Sequence, residues 1–302
     1  MPAVVSAEQL TKSYGKSRGV VDLTFEVFPG EVFGYLGPNG AGKTTTIRTM
    51  LDFIRPTSGQ ITVLGLDPRH EGPAVHARTG YLPGEFGLYE RLTGEEYLRT
   101  FAGLRGDVPW NKVTGLADRL KLDLAVRIKS LSHGNKRKVG LIQAFMHEPD
   151  LLVMDEPTQG LDPLVQQEFY ALVDEARARG ATVFLSSHVM PEVERVCDRV
   201  AIIREGRLVQ VADIGELKAN ALRKIDLHFA EPVPASAFVS LASVVTAEAS
   251  GDEVRLTIRG PLDEVIKEAA RHTVVTVATH EPSLEDVFLD VYRNGASGGE
   301  EP

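Results

Sequence analysis

The run EVFGYLGPNGAGKTTTIRTM, residues 31–50, decides how the chain is read. EVFGYLG (31–37) is a short apolar run closed by a glycine, the pattern of a buried strand. TTTIRTMLDF (44–53) opens as a helix. Between them GPNGAGKT (37–44) fits G-x-x-x-x-G-K-S/T at every position, in the strand-to-helix context that gives the pattern its meaning. In such a loop, here Gly37, Pro38, Asn39, Gly40, Ala41 and Gly42, the glycines let the backbone curl so that its N–H groups converge on phosphate oxygens. The helix N-terminus, with Thr45 in its first turn, adds a dipole that favours the anion. Lys43 carries a point charge to the β- and γ-phosphates, and Thr44 offers a hydroxyl to Mg²⁺.

Working outward, LLVMD (151–155) is continuous and apolar, as a strand buried on both faces should be. ATVFLSSH (181–188) is a second such run. Between them PLVQQEFYALVDEARARG repeats Leu164, Phe169, Leu172, Val173 and Ala176 at helical spacing and stops at Gly180. Strand, helix, strand in this order predicts a parallel sheet in an α/β fold. VAIIREGRLVQ (200–210) reads as a hairpin turning at Glu205-Gly206. Residues 84–140 are richer in helix signals, with TGEEYLRTFAGL and VTGLADRLKL, and predict a helical insertion. LSHGNKRKVGLIQAF (131–145) reads as a helix that opens on a cap at Ser132.

The second half of a phosphate site is expected at LLVMDEP. Asp155 ends a buried strand, placed to hold Mg²⁺. Glu156 follows where the strand emerges, placed to polarise a water in line with the γ-phosphate. His188 ends the neighbouring strand, within reach of the same phosphate.

The 302 residues suggest about two domains. An apolar fraction of 43% and a charged fraction of 25% are those of a globular chain. No apolar run is long enough to span a bilayer, and MPAVVSAEQLTKSYG lacks the pattern of a signal peptide. Cys197 is the one cysteine, which excludes an internal disulfide and predicts a small, inert apolar residue. A cytoplasmic address follows. Residues 225–302 hold 5 Lys and Arg against 14 Asp and Glu, so they carry the whole net charge of −9. No part is basic, and a nucleic-acid partner is not expected. The charge step and a change of style predict a boundary at 224. Residues 1–224 form one domain, 225–292 a small α+β domain with strands at KIDLHF, VVTAEAS, EVRLTI and TVVTVAT, and 293–302 a disordered tail. PSLEDVFLDVYRN reads as a last helix capped by Ser283 and Asp286. Its face of Val287, Phe288 and Val291 either closes the small domain's own core or meets a second subunit.

GPNGAGKTT, LSHGN, LLVMDEP, GLDP (160–163) and SSH stand in the order and spacing of ATP-binding cassette (ABC) ATPases. The resemblance covers residues 3–220. SHGNKRK, PTQGLDP and LEDVFL look most like the ATP-binding subunits of bacterial drug-resistance exporters. The resemblance implies a P-loop α/β domain with a helical and an antiparallel β subdomain. It also implies ATP and Mg²⁺ as ligands, with Glu156, His188 and Lys43 as catalytic groups and Thr44 and Asp155 at the metal. Tyr14 matches the aromatic that stacks on adenine. Ser132 and Gly134 match the signature loop, LSGGQ in the family, which faces the nucleotide of a second copy in a head-to-tail dimer. Asp162 matches a residue at that dimer seam. His133 and Asn135 depart from the signature. Gly84 stands where the family usually has Gln and has no side chain to offer a metal; Glu85 is adjacent. Phe86 and Tyr89 are either core residues or contacts to a transmembrane permease. The expected function is to energise a separate membrane exporter of drugs, lipids or polysaccharide, peripherally at the inner face of the membrane. The alternative is a soluble ABC ATPase acting on nucleic acid or ribosomes.

Overall fold

A computed structural model describes residues 2–15, 17–85, 87–106, 108–220 and 222–280. The element order begins β1 (Val5–Tyr14), β2 (Ser17–Val27), β3 (Val32–Leu36), α1 (Lys43–Met50), β4 (Ser58–Val63), α2 (Pro68–Ala77) and β5 (Thr79–Leu82). It continues with α3 (Gly94–Leu104), α4 (Trp110–Arg119), a 3-10 turn at Ile128–Ser130, α5 (His133–Phe145), β6 (Leu151–Asp155), α6 (Pro163–Ala178) and β7 (Thr182–Ser187). Then come α7 (Met190–Val196), β8 (Arg199–Arg204), β9 (Arg207–Asp213), α8 (Ile214–Asn220), β10 (Arg223–Phe229), α9 (Ser236–Val239), β11 (Val244–Ser250), β12 (Glu253–Ile258), α10 (Asp263–Ala269) and β13 (Val274–His280).

β3, β6 and β7 are buried at every residue, which is why their sequences show no alternation. They form the middle of a six-stranded sheet of order β5-β6-β7-β3-β8-β9, with parallel pairing from β5 through β8. A three-stranded antiparallel sheet of order β2-β1-β4 shares its core: Leu10, Leu23, Phe25 and Val27 meet Phe33, Tyr35, Ile47 and Phe184. The Phe25 ring lies 6.0 Å from Phe33 and 5.6 Å from Tyr35.

α3 starts on a complete capping box, the Thr93 hydroxyl accepting from Glu96 N–H while the Glu96 carboxylate accepts from Thr93 N–H. α6 buries Val165, Phe169, Tyr170, Leu172, Val173 and Ala176. Leu164 was expected on that face and is instead 69% exposed. It lies in the first turn beside the Asp162 cap, where Val165 turns to the core.

The chain divides into two compact units, Met1–Ala212 and Asp213–Pro302. The division falls upstream of the expected 224, which lies inside β10. The second unit has an antiparallel sheet of order β11-β12-β10-β13. Ile225, Leu227, Phe229, Val254, Leu256 and Ile258 alternate along β10 and β12 and close its core with Phe238 and Val265. The last helix with its Val287, Phe288 and Val291 face, its Ser283–Asp286 cap, and the 293–302 tail lie outside the described residues, as does Phe86.

Candidate nucleotide site

In a parallel sheet every strand delivers its C-terminal end to the same edge, where ligands bind in such folds. β3 ends at Leu36, β5 at Leu82, β6 at Asp155 and β7 at Ser187. The segments that follow these ends supply the polar groups of one site. A cavity of about 500 Å³ is lined by Pro38, Asn39, Gly40, Gly42, Lys43, Thr44, Thr45 and Arg48 from the loop and α1. Tyr81, Pro83, Gly84 and Glu85 line it from the β5 end, and Asp155, Glu156 and Gln159 from the β6 end. That volume lies in the range of small-molecule sites.

Gly42, at φ 108°, precedes α1 and gives it no side-chain cap. The first N–H groups of a helix have no partner within it, so this cap leaves them for an anion. Lys43 is 6% exposed, and its Nζ donates to Gly37 O at 2.6 Å and Pro38 O at 3.3 Å. The same nitrogen lies 3.1 Å from Glu156 Oε1. The other carboxylate oxygen of Glu156, Oε2, accepts from His188 Nδ1 at 2.7 Å. That bond puts a proton on Nδ1, so a second donor bond through Nε2 needs the doubly protonated ring. Glu156 adopts φ 51°, left-handed and uncommon for a residue with a side chain. Its N–H still pairs with Ser186 O at 3.0 Å. The backbone thus leaves the sheet abruptly at Glu156.

Asp155 is 1% exposed. Its Oδ2 accepts from Thr44 Oγ1 at 2.7 Å and its Oδ1 from the Ser186 hydroxyl. These two residues, 111 positions apart, are the pair expected at Mg²⁺. Among the described residues no group of three His, Cys, Asp or Glu could hold a metal by itself. One carboxylate and one hydroxyl fit a magnesium ion, which keeps waters and takes further ligands from substrate phosphates.

The remaining sequence candidates lie elsewhere. Tyr14 is 44% exposed, with Lys12 Nζ 5.2 Å from its ring centroid, and is not among the cavity's lining residues. Ser132, Gly134 and Asp162 do not line it either. Ser132 caps α5, its Oγ accepting from Asn135 N–H at 3.2 Å. Asp162 caps α6, its Oδ1 accepting from Leu164 and Val165 N–H, each at 3.1 Å. At Gly134 a Cβ would meet the carbonyl oxygen of Gly160 at 2.5 Å, so this glycine lets α5 approach the turn after Gln159.

Arg137, Gln159 and Glu192 were not singled out in the sequence. Arg137 is fully buried on α5. Its Nη1 donates to Pro83 O at 3.0 Å, and its Nη2 to Gly84 O at 3.0 Å and Gln159 Oε1 at 3.1 Å. The signal was available, because Arg137 shares a helix face with Leu141 and Ala144 (i, i+4, i+7). Glu192 on α7 is 2% exposed, and its Oε2 accepts from Ser187 Oγ at 2.6 Å. Burial pushes its carboxyl up to about 7 from the ordinary 4.5. Between those values the folded chain keeps a proton that the unfolded chain releases, so stability falls as pH rises through the window. Glu192→Gln is therefore expected to melt several degrees above wild type at pH 8, at roughly 2–4 °C per kcal/mol. The gap should close as the pH is lowered to 5, and equal melting curves at both values would refute the shift.

The ABC transporter family profile matches residues 20–159. The probable multidrug ABC transporter ATP-binding protein YbhF of Escherichia coli K12 is 37% identical over 243 residues, 79% of this chain. The chain spans only 41% of the length of that relative. The bacitracin transport ATP-binding protein BcrA of Bacillus licheniformis is 31% identical over 316 residues, 99% of this chain and all of BcrA. A solved ATP-binding subunit of an ABC transporter superposes with a TM-score of 0.67 at 31% identity, covering 71% of this chain and 92% of that one. With its P-loop, buried Asp155 and adjacent Glu156 at one sheet edge, the chain belongs to the ABC transporter family.

Proposed function

We propose that this chain binds and hydrolyses ATP and uses the cycle to drive a separate transmembrane permease, in the manner of an exporter's ATP-binding subunit. The observation that carries the reading is the convergence of Thr44–Asp155 and Lys43–Glu156 on one cavity, with His188, which does not itself line it, bonded to Glu156. In the free protein Glu156 is held between Lys43 and His188. Phosphate oxygens compete for Lys43 and release Glu156, which then takes a proton from the attacking water. His188 keeps the Glu156 carboxylate oriented through Nδ1. Thr44 and Asp155 would hold Mg²⁺, which would neutralise charge on the phosphates. The names of YbhF and BcrA speak of multidrug and bacitracin transport; export of a drug-like or lipid-like cargo is proposed here on that likeness. No helix among the described residues is long and apolar enough to cross a membrane, which fits a subunit lying against the inner face of one. A groove lined by Leu51, Phe53, Tyr81, Leu88 and Tyr97 offers the permease an apolar surface. Tyr89, 65% exposed with its ring 6.2 Å from Tyr97, is a candidate contact beside it. The second unit is proposed as a separate domain that modulates the first.

Two copies form the active species in this reading, because Ser132, Gly134 and Asp162 stand apart from their own chain's cavity and would serve a partner's nucleotide. Mg²⁺-dependent ATP hydrolysis by the purified chain, with specific activity rising with protein concentration, tests the proposal. No hydrolysis would sink it. Ser132→Arg is expected to lower hydrolysis by about a hundredfold or more and leave ATP affinity of the monomer within about twofold. It also removes a helix cap worth about 1 kcal/mol, so a thermal melt must accompany the assay. Wild-type hydrolysis by Ser132→Arg would reduce Ser132 to that cap.

A further inference from the structure

The carboxylates of Glu85, Asp155 and Glu156 line the cavity together with Lys43 and Arg48, and Lys43 also donates to Gly37 and Pro38 and lies 3.1 Å from Glu156. A phosphoryl group entering here needs a donor that brings no further negative charge. The β5 end cannot supply one from Gly84. A Cβ there would lie 3.0 Å from Asp155 Oδ2 and 3.2 Å from its Cγ, so a side chain would crowd the carboxylate. That loop turns its carbonyls to Arg137 instead, Pro83 O to Nη1 and Gly84 O to Nη2.

The same guanidinium holds Gln159. The stretch after β6 forms a tight turn in which Gln159 N–H donates to Glu156 O at 3.2 Å, and Gln159 reaches the cavity that Glu156 also lines. Its Oε1 lies 3.1 Å from Arg137 Nη2. A guanidinium has donors only, so the amide atom facing it must be the oxygen, and the flip of the amide is settled by its neighbour. The NH₂ group is then left with its two donors at an exposed, cavity-lining position. Asn39, on the loop itself, is the other amide in the lining.

Resting on the reading that this cavity hydrolyses ATP, we propose that Gln159 donates through Nε2 to an oxygen of the transferred phosphoryl group, and that Arg137 is the positioning residue that fixes this orientation. During transfer, charge is spread over the three equatorial phosphoryl oxygens. A neutral donor already aimed at them stabilises that state more than the ground state. Arg137 touches no phosphate in this assignment. Its bonds to Pro83, Gly84, Asp155 O at 3.4 Å and Gln159 hold the donor to the same frame that carries the carboxylates.

The test uses the full chain with ADP, Mg²⁺ and aluminium fluoride, which imitates the phosphoryl group in flight. Gln159→Ala is expected to bind ADP alone as wild type does, but to bind ADP–aluminium fluoride about tenfold more weakly. Its kcat for ATP should fall by about the same factor with KM little changed. Gln159→Glu keeps the length and the bond to Arg137 but puts an acceptor where the donor was, so it should lose at least as much. Arg137→Lys, whose single ammonium cannot hold loop and amide together, should reproduce the loss. If it fails to fold, the two Gln159 variants decide. Wild-type affinity of Gln159→Ala for ADP–aluminium fluoride overturns the assignment while leaving the ATPase reading intact. A parent protein that binds neither ADP nor the fluoride complex overturns the ATPase reading and this assignment with it.

Discussion

Glu156→Gln is expected to lower ATP hydrolysis by at least about a hundredfold, the usual worth of a general base, and to leave ATP affinity within about twofold. The amide keeps the length of the side chain, and its oxygen can still face the Lys43 ammonium. It cannot take a proton from water. We propose that ATP binding closes the dimer and hydrolysis reopens it, so the variant should accumulate as a dimer in ATP during size-exclusion chromatography. The local geometry argues against a purely structural role. Glu156 holds φ 51° immediately after a strand and lies 14% exposed between Lys43 and His188. Strain and burial of a carboxylate cost stability, and neither is needed to end a strand. Hydrolysis at the wild-type rate by Glu156→Gln would remove this residue from the reaction.

Lys43→Ala is expected to act one step earlier, on binding. Charge-assisted hydrogen bonds contribute about 1.5–3 kcal/mol each, so ATP affinity should fall by about tenfold to a hundredfold. Removing Lys43 also leaves the Glu156 carboxylate facing the phosphates without the ammonium 3.1 Å away, which adds repulsion to the lost attraction. Titration calorimetry with a non-hydrolysable ATP analogue gives the dissociation constant directly. A thermal melt should accompany it, because Lys43 is 6% exposed and its bonds to Gly37 and Pro38 also pin the loop. An unchanged dissociation constant would contradict the assignment of residues 37–44 to phosphate binding.

The phosphate loop was legible because it is contiguous. GPNGAGKT, the strand before it and the helix after it fall within 31–53, and each glycine and Lys43 has a local reason to be there. LLVMD and TVFLSS were legible as buried strands because both of their faces are covered, which removes alternation from the sequence. The hairpin at Glu205-Gly206 and the cap at Ser132 were legible for the same local reasons. Gly134 was matched to the signature loop, and its own chain also requires a glycine there, against the Gly160 carbonyl.

The sequence by itself determined the α/β class, the phosphate loop, and the candidacy of Asp155, Glu156 and His188, since each rests on residues within one or two turns or strands. The tertiary structure alone decided which of these meet. Thr44 reaches Asp155 across 111 positions because β3 and β6 flank β7 in one parallel sheet and end at the same edge. Arg137 and Gln159 acquire their meaning only there as well. A buried guanidinium must find acceptors, and those it finds, Pro83, Gly84, Asp155 and Gln159, come from two other strand ends. Periodicity reports which side of an element is covered, but the identity of the covering groups is fixed by sheet order and loop path, which no local pattern encodes.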